Sequence, residues 1–260
     1  MMITKEKFLG YNFIVSKDIK QVALSIFEYH NSNEIHLLPI IFTPNVDYIV
    51  KLDIAKYHEL RERLKQSAFI LPDGQPIIWA SKLSKGNITN RLAGSDLFSH
   101  LYSLVKRNQI PSLFITSGDN VSKFYEKDFP GCHILTLPYI DAEDNNGFKK
   151  IADLSVDLII KHDIKFVFIG ISFPKQDKIA LGIFDELKAS GYENIPILAL
   201  IGASLEFEAK IKKRAPMIFQ KLGLEWFYRF LMEPKRLFKR YFIDSFKFIN
   251  IVKANKKSEL

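Results

Sequence analysis

The sequence predicts an α/β protein with a Rossmann-like, mostly parallel sheet flanked by helices. Two observations carry this prediction. Short β-rich runs alternate with longer stretches of helical pattern along most of the chain. The β-rich runs are apolar throughout, which is typical of parallel strands that helices cover on both faces.

The predicted elements follow one another in chain order. Strands are predicted at 38–43, 68–72, 112–116, 133–137, 165–170 and 196–202. Helices are predicted at 45–66, 95–108, 119–128, 147–162 and 175–190. We expect Asp119 and Asn120 to cap the helix at 119–128 and Asn146 to cap the next one, because their side chains accept hydrogen bonds from free N–H groups.

Four polar motifs follow predicted strands, and ligands of open parallel sheets bind where the strands end. Gly, Pro, Asn and Asp are also common in ordinary strand-to-helix turns, so one motif alone would indicate only a turn. Four together predict a binding site. The motifs are "TPNVD" (43–47), "LPDGQP" (71–76), "GISFPKQD" (170–177) and "GASLEF" (202–207).

The net positive charge of the chain comes from its last fifth. Residues 210–260 contain 14 Lys and Arg and 4 Asp and Glu, a net of +10, whereas residues 1–209 contain 23 and 25, a net of −2. We therefore divide the chain into a Rossmann-like catalytic domain at 1–208 and a basic helical appendage at 209–260. This asymmetry predicts contact with an anionic surface, either a membrane or a nucleic acid.

The appendage is predicted to contain an amphipathic helix. Pro234 should end one helix and begin another, because proline fits a first helical turn but not a helix interior. On a helical wheel of 235–253, one half is apolar, which favours a membrane interface, although such helices also commonly dock onto their own domain. The apolar half holds Leu237, Phe238, Tyr241, Phe242, Phe246, Phe248, Ile249 and Val252, and the other half holds Arg236, Lys239, Arg240 and Lys247.

Composition excludes several classes of protein. The content of 47% hydrophobic and 25% charged residues is ordinary for a globular protein. The single cysteine, Cys132, excludes an intramolecular disulfide, and the six histidines show no metal-ligand spacing. The N-terminal residues lack the apolar region of a secretion signal, and no apolar run is long enough to span a membrane, so the cytoplasm is the expected location.

Several sequence blocks occur in an order that is typical of one protein family. The most distinctive are "GLEWFYR" and "EPKRLFKRY" after "RAP", and the earlier ones are "TPN", "PDG", "R-x-x-GSDL" from Arg91 to Leu97, and "G-x-x-x-PKQ". Together they resemble the WecG/TagA/CpsF family of bacterial glycosyltransferases, and the resemblance runs from about residue 40 to about residue 241.

The resemblance implies transfer of an N-acetylmannosamine-type or related sugar from a UDP-sugar, with inversion and without a metal or other cofactor. The implied acceptor is a polyprenyl-diphosphate-linked saccharide of cell-surface polysaccharide synthesis. The protein would then be peripheral on the inner face of the cytoplasmic membrane, held to anionic lipid by the C-terminal helix. Nucleic acid is not an expected partner, and the oligomeric state, including a homo-oligomer, stays open.

Some loops depart from the family pattern, and they leave the donor sugar open. The family's "PKQE" is "PKQD" here, ending in Asp177, and its "DGxG" is "DGQP". Its "fDf-x-aG" turn reads "LEFEAK" (205–210), and the usual "GG" after the third strand is "SGDN" (117–120).

The resemblance places the family's proposed catalytic base at Asp73, where it would accept the proton of the acceptor hydroxyl. Without a metal, cationic side chains and amide donors must stabilise the leaving diphosphate. The candidates are Arg91 and Lys175 in the core, with Arg214, Arg229 and Arg236 from the appendage. Other substrate-binding candidates are Thr43, Asn45 and Gln176 for sugar hydroxyls or uracil, and Gly94 and Gly202 for close backbone approach.

Two other interpretations compete with this one. A nucleic-acid-binding protein with a basic tail could use interleaved Lys, Arg and aromatic residues to track phosphates and stack on bases. A catalytically inactive scaffold could retain only the fold. Trp79 and Trp226 are expected to be packing residues, outside the site.

Overall fold

The computed structural model describes residues 3–30, 38–213, 215–216, 219, 225–238 and 244–258. In this part of the chain, eight strands form one sheet in the order β1-β2-β4-β3-β8-β7-β5-β6. All neighbours are parallel except β1 and β2. The predicted fold class is confirmed. The strands are β1 (Lys5–Phe8), β2 (Tyr11–Ile14), β3 (Leu38–Phe42), β4 (Ser67–Ile70), β5 (Ser112–Thr116), β6 (His133–Thr136), β7 (Phe166–Ile169) and β8 (Ile197–Leu200).

Helices connect the strands and continue beyond the sheet into the C-terminal segment. The described helices are α1 (Ile19–Tyr29), α2 (Val46–Leu52), α3 (His58–Leu64), α4 (Gln75–Leu83), α5 (Gly94–Arg107), α6 (Asp119–Asp128), α7 (Asn145–His162), α8 (Lys175–Ala189), α9 (Ser204–Glu208), α10 (Glu225–Met232), α11 (Pro234–Phe238) and α12 (Asp244–Ser258).

Alternate residues of each central strand pack into one of two cores on the faces of the sheet. In β7, for example, Val167 and Ile169 enter one core, while Phe166 and Phe168 enter the other. The first core is covered by α2, α4, α7 and α8, and the second by α1, α5, α6 and α9. All six predicted strands are confirmed, and burial on both faces explains the apolar sequences of all of them except β6, which lies at the edge of the sheet and is only partly buried.

An N-terminal hairpin, which the sequence analysis did not predict, adds β1 and β2 to the sheet. Leu9 and Gly10 form its two-residue loop, and both have positive φ (53° and 76°), as a tight hairpin turn requires. Phe13 then pairs with Ile70, so β2 extends the sheet beside β4.

The predicted caps of two helices are wrong. Gly118, rather than Asp119 or Asn120, precedes α6, and no side chain caps that helix. Asp144 rather than Asn146 caps α7, because its carboxylate accepts from the backbone N–H of Gly147. The predicted helix at 45–66 is also divided, since the extended backbone of Ile54 separates α2 from a short 3₁₀ turn and α3.

The C-terminal helices agree with the predicted boundary at Pro234 but not with the predicted apolar face. One helix ends before Pro234 and another begins there. Phe248, however, is only 4% exposed and packs with the core near α2, while Phe246 is 70% exposed. Two positions along a helix turn the side chain by about 200°, so these residues cannot share one face. Residues 239–243 of the predicted helix lie outside the described residues.

No described helix combines the length and apolar character that crossing a bilayer requires.

Candidate functional site

A cavity of about 600 Å³ lies at the carboxyl ends of four adjacent strands: β4, β3, β8 and β7. All four polar motifs contribute to its lining, as their positions after predicted strands indicated. The helix after β3 packs on one face of the sheet and the helix after β8 packs on the other. The cavity therefore occupies a topological switch point, where open α/β sheets bind ligands.

Asp73 is held in the cavity wall by two donors. Its Oδ1 accepts from Arg91 Nε at 3.2 Å, and its Oδ2 accepts from the backbone N–H of Gly94 at 3.1 Å. A side chain at position 94 would bring its Cβ within 2.7 Å of the Thr43 hydroxyl, so this close packing of backbone and strand end requires glycine. An ion pair and an amide hydrogen bond thus fix the orientation of this carboxyl group at the cavity wall.

The C-terminal segment contacts Arg91 through Glu225, the first residue of α10. Its Oε2 accepts from Arg91 Nη2 at 3.1 Å, and the residue is only 5% exposed. Burial alone would lower the pKa of Arg91, but the charges of Asp73 and Glu225 outweigh burial and hold that pKa above its ordinary value. Arg91 therefore stays cationic and joins the sheet edge to the C-terminal helices.

A second hydrogen-bond network joins residues that follow β3, β7 and β8. Gln176 accepts from the backbone N–H of Gly202 at 3.1 Å and donates to the Tyr48 hydroxyl at 3.0 Å. Tyr48 in turn donates to Asp177. Asn45 accepts from the backbone N–H of Tyr48 at 3.1 Å and so caps α2. Gln176 and Asn45 therefore stabilise the loops around the cavity, whether or not they also contact a ligand.

Asp177 is a fully buried carboxyl group within this network. Its Oδ2 has no hydrogen-bond partner among the described residues. Burial raises the pKa of Asp177 to about 7 from an ordinary 3.8, although the hydrogen bond from Tyr48 acts in the opposite direction. The carboxyl group is thus partly protonated near neutral pH.

Replacing Asp177 with asparagine is expected to stabilise the fold more at high pH than at low pH. The unfolded chain ionises this group above about pH 4, while the folded chain resists ionisation up to about pH 7, so the native carboxyl weakens folding progressively across that window. We expect the gain in unfolding free energy to be about 2–3 kcal/mol larger at about pH 8 than at about pH 5, measured by urea denaturation. Asp185→Asn, at an exposed carboxylate of the same helix, is the control, and an equal gain at both pH values would contradict the assignment.

Most of the predicted site residues line the cavity. Lys175 does not, because it extends over the ring of Tyr139, with its Nζ 5.0 Å from the ring centroid. Arg214 lies outside the described residues, as do the side chains of Arg229 and Arg236. The predicted residues that line the cavity are Thr43, Asn45, Asp73, Arg91, Gly94, Gln176 and Gly202.

Sequence reasoning missed several lining residues. Tyr48 and Phe173 are partly buried beside the cavity, and Glu225 approaches it from the C-terminal segment. Trp79, expected to be a packing residue, lines the cavity and is 52% exposed. The sequence could have predicted this position, because Trp79 lies about one helical turn after the "PDGQP" motif.

The described residues include no group of three or more His, Cys, Asp and Glu side chains placed to hold a metal ion.

The fold and the cavity define a Rossmann-like α/β protein with a polar ligand site at the switch point of its sheet. The model of the glycosyl transferase WecG/TagA/CpsF family matches residues 7–259, and the chain belongs to this family. Relatives in Staphylococcus aureus strains MW2, MRSA252 and NCTC 8325 are each 28% identical over 201 residues, covering 75% of this chain and 73% of theirs. Each bears the name N-acetylglucosaminyldiphosphoundecaprenol N-acetyl-beta-D-mannosaminyltransferase.

Proposed function

We propose that this protein is an inverting, metal-independent glycosyltransferase. It would move an N-acetylmannosamine-type sugar from a UDP-sugar to a polyprenyl-diphosphate-linked saccharide. The observation that carries the proposal is the Asp73 carboxylate, which Arg91 and the Gly94 amide hold at the cavity wall. The names of the S. aureus relatives support both the transferred sugar and the lipid-linked acceptor.

Asp73 lines the cavity, as a general base for the acceptor hydroxyl must. The ionised carboxylate takes the proton of the acceptor hydroxyl while that oxygen forms a bond to the anomeric carbon. The bond from the anomeric carbon to the diphosphate oxygen breaks on the opposite side, and UDP leaves with the bonding electron pair. One displacement of this kind inverts the anomeric centre.

Arg91 is the described cation best placed to stabilise the departing diphosphate. Its guanidinium lines the cavity and stays charged, and it has further N–H donors beyond those that contact Asp73 and Glu225. The N-terminus of α5 also reaches the cavity through Gly94 and Ser95, and its dipole favours negative charge there. A guanidinium and a helix N-terminus would thus replace a divalent ion.

The size of the cavity is suitable for a UDP-sugar. A volume of about 600 Å³ lies within the range of small-molecule sites.

The C-terminal helices are rich in Lys and Arg and also expose apolar residues, which are Leu231, Met232, Phe238, Phe246 and Ile249. We propose that these helices hold the enzyme on the inner face of the cytoplasmic membrane, where anionic lipids and the acceptor reside.

A panel of UDP-sugars tests this function. We expect the purified chain to release UDP from UDP-N-acetylmannosamine when a short-chain lipid-diphosphate N-acetylglucosamine acceptor is present, with a glycosylated product by mass spectrometry. Release should need the acceptor and should persist in EDTA. Transfer from another donor alone would correct the sugar, loss of activity in EDTA would contradict metal independence, and failure with every donor would contradict the function.

A further inference from the structure

Helix α4 exposes an apolar face beside the cavity, and the proposed mechanism does not use it. Ile77 and Ile78 are fully buried against the sheet, while Trp79 is 52% exposed and Leu83 is 79% exposed. Trp79 and Leu83 are four positions apart and therefore lie on the same side of the helix. An exposed helical face normally carries polar side chains, so two large apolar residues there need a physical explanation.

This face leads outward from the catalytic end of the cavity. Helix α4 begins directly after Asp73 and Gly74, and Gln75, Pro76 and Trp79 all line the cavity. Leu83 lies one further turn along the helix and outside the lining. From Gln75 to Leu83 the helix rises about 12 Å, so the face that carries Trp79 and Leu83 reaches from the cavity lining to its surroundings.

We propose that the polyprenyl tail of the acceptor lies along this face of α4, against Trp79 and Leu83. The proposal rests on the proposed function, because it takes the acceptor to be polyprenyl-linked. Trp79 lines the same cavity as Asp73 and is half exposed, so it offers a way out for the tail of an acceptor whose hydroxyl reaches Asp73. An indole ring suits that position, since it offers apolar area together with one polar N–H group.

The charges around the end of α4 fit the same ligand. Lys82 and Lys85 are exposed on either side of Leu83 in the sequence. Cations beside an apolar contact suit a tail that enters a membrane next to Leu83, because Lys and Arg side chains are attracted to anionic lipid headgroups. A water-soluble acceptor would gain nothing from Leu83.

The dependence of activity on acceptor chain length tests this role. Full-length wild-type and Leu83→Gln proteins would be assayed in one detergent with two acceptors that share a head group, one with a long polyprenyl tail and one with a short tail. We expect Leu83→Gln to lower the long-to-short ratio of kcat/KM by about tenfold, as loss of one buried leucine contact predicts. Leu83→Met, which keeps the apolar contact, should retain the ratio.

Leu24→Gln is the matched control, because Leu24 is an exposed apolar residue on α1, which packs on the opposite face of the sheet. It should leave the ratio unchanged. An unchanged ratio in Leu83→Gln, or an equal loss with both acceptors, would overturn the role of α4. So would a variant that alters only flotation with phosphatidylglycerol vesicles or only self-association on size exclusion, since the face would then meet the bilayer or a second copy. Failure of wild type with both acceptors would overturn the proposed function, and this inference with it.

Discussion

Asp73→Asn is expected to slow sugar transfer by about 10³-fold, within the range of about 10²–10⁴ that general bases contribute. The amide keeps one oxygen, so it can preserve one of the two hydrogen bonds that Asp73 accepts from Arg91 Nε and Gly94 N–H, and it loses the other. It cannot accept the proton of the acceptor hydroxyl. UDP affinity should stay nearly intact, because the base acts on the acceptor and not on the diphosphate. Single-turnover transfer and calorimetric UDP titration would measure the two effects.

Asp53→Asn is a matched control, because Asp53 also pairs with an arginine, Arg61, but does not line the cavity. It should retain wild-type turnover. Near-wild-type turnover in Asp73→Asn would remove Asp73 from its role as base. If UDP affinity fell as far as the rate, Asp73 would act by positioning Arg91 instead.

The central strands could be predicted because burial on both faces leaves a direct signal in the sequence. The hairpin could not, since β1 carries Lys5, Glu6 and Lys7, and its tight turn uses Leu9 and Gly10 where Asn-Gly would have been recognisable. Helix α4 was hidden for a related reason. Its Pro76 lies in the first turn, where proline is tolerated, but beside "DGQ" it looks like part of a longer turn.

The positions of the site residues were more predictable than their contacts. Asp73 follows β4 and Gln176 follows β7, two parallel strands of one sheet, so a sequence pattern is enough to bring both residues to the same edge of that sheet. Their side chains differ in exposure, however, because Gln176 is 3% exposed and bonded to Gly202 and Tyr48, whereas the side chain of Asp73 is 23% exposed. Nothing local in the sequence predicts this difference.

The contact of Arg91 with Glu225 was beyond sequence reasoning. The two residues are 134 positions apart, and the short "GLEW" motif shows that Glu225 is part of a family block but not what it contacts. A boundary drawn near residue 208 places Glu225 in an appendage and Arg91 in the catalytic domain. The hydrogen bond joins them, so the appendage contributes a buried carboxylate to the site.

Arg91→Met is expected to raise the dissociation constant of UDP by about 10- to 100-fold, as loss of charge-assisted hydrogen bonds to a phosphate predicts. It should also lower the free energy of unfolding by about 3 kcal/mol, because the buried carboxylate of Glu225 would lose its ion pair with Arg91. Urea denaturation and calorimetric UDP titration would measure these effects. Arg63→Met is the control, since Arg63 pairs with Asp185 on the surface, where an ion pair contributes about 1 kcal/mol or less.

A second substitution separates the structural role of Arg91 from its role in binding the leaving group. In Arg91→Met/Glu225→Gln, a neutral amide replaces the buried carboxylate that loses its ion pair, so most of the lost stability should return. UDP affinity and turnover should not return, because no guanidinium faces the diphosphate. Recovery of turnover together with stability would mean that Arg91 only holds α10 in place, and the stabilisation of the diphosphate would then have to come from the remaining cations of the C-terminal segment.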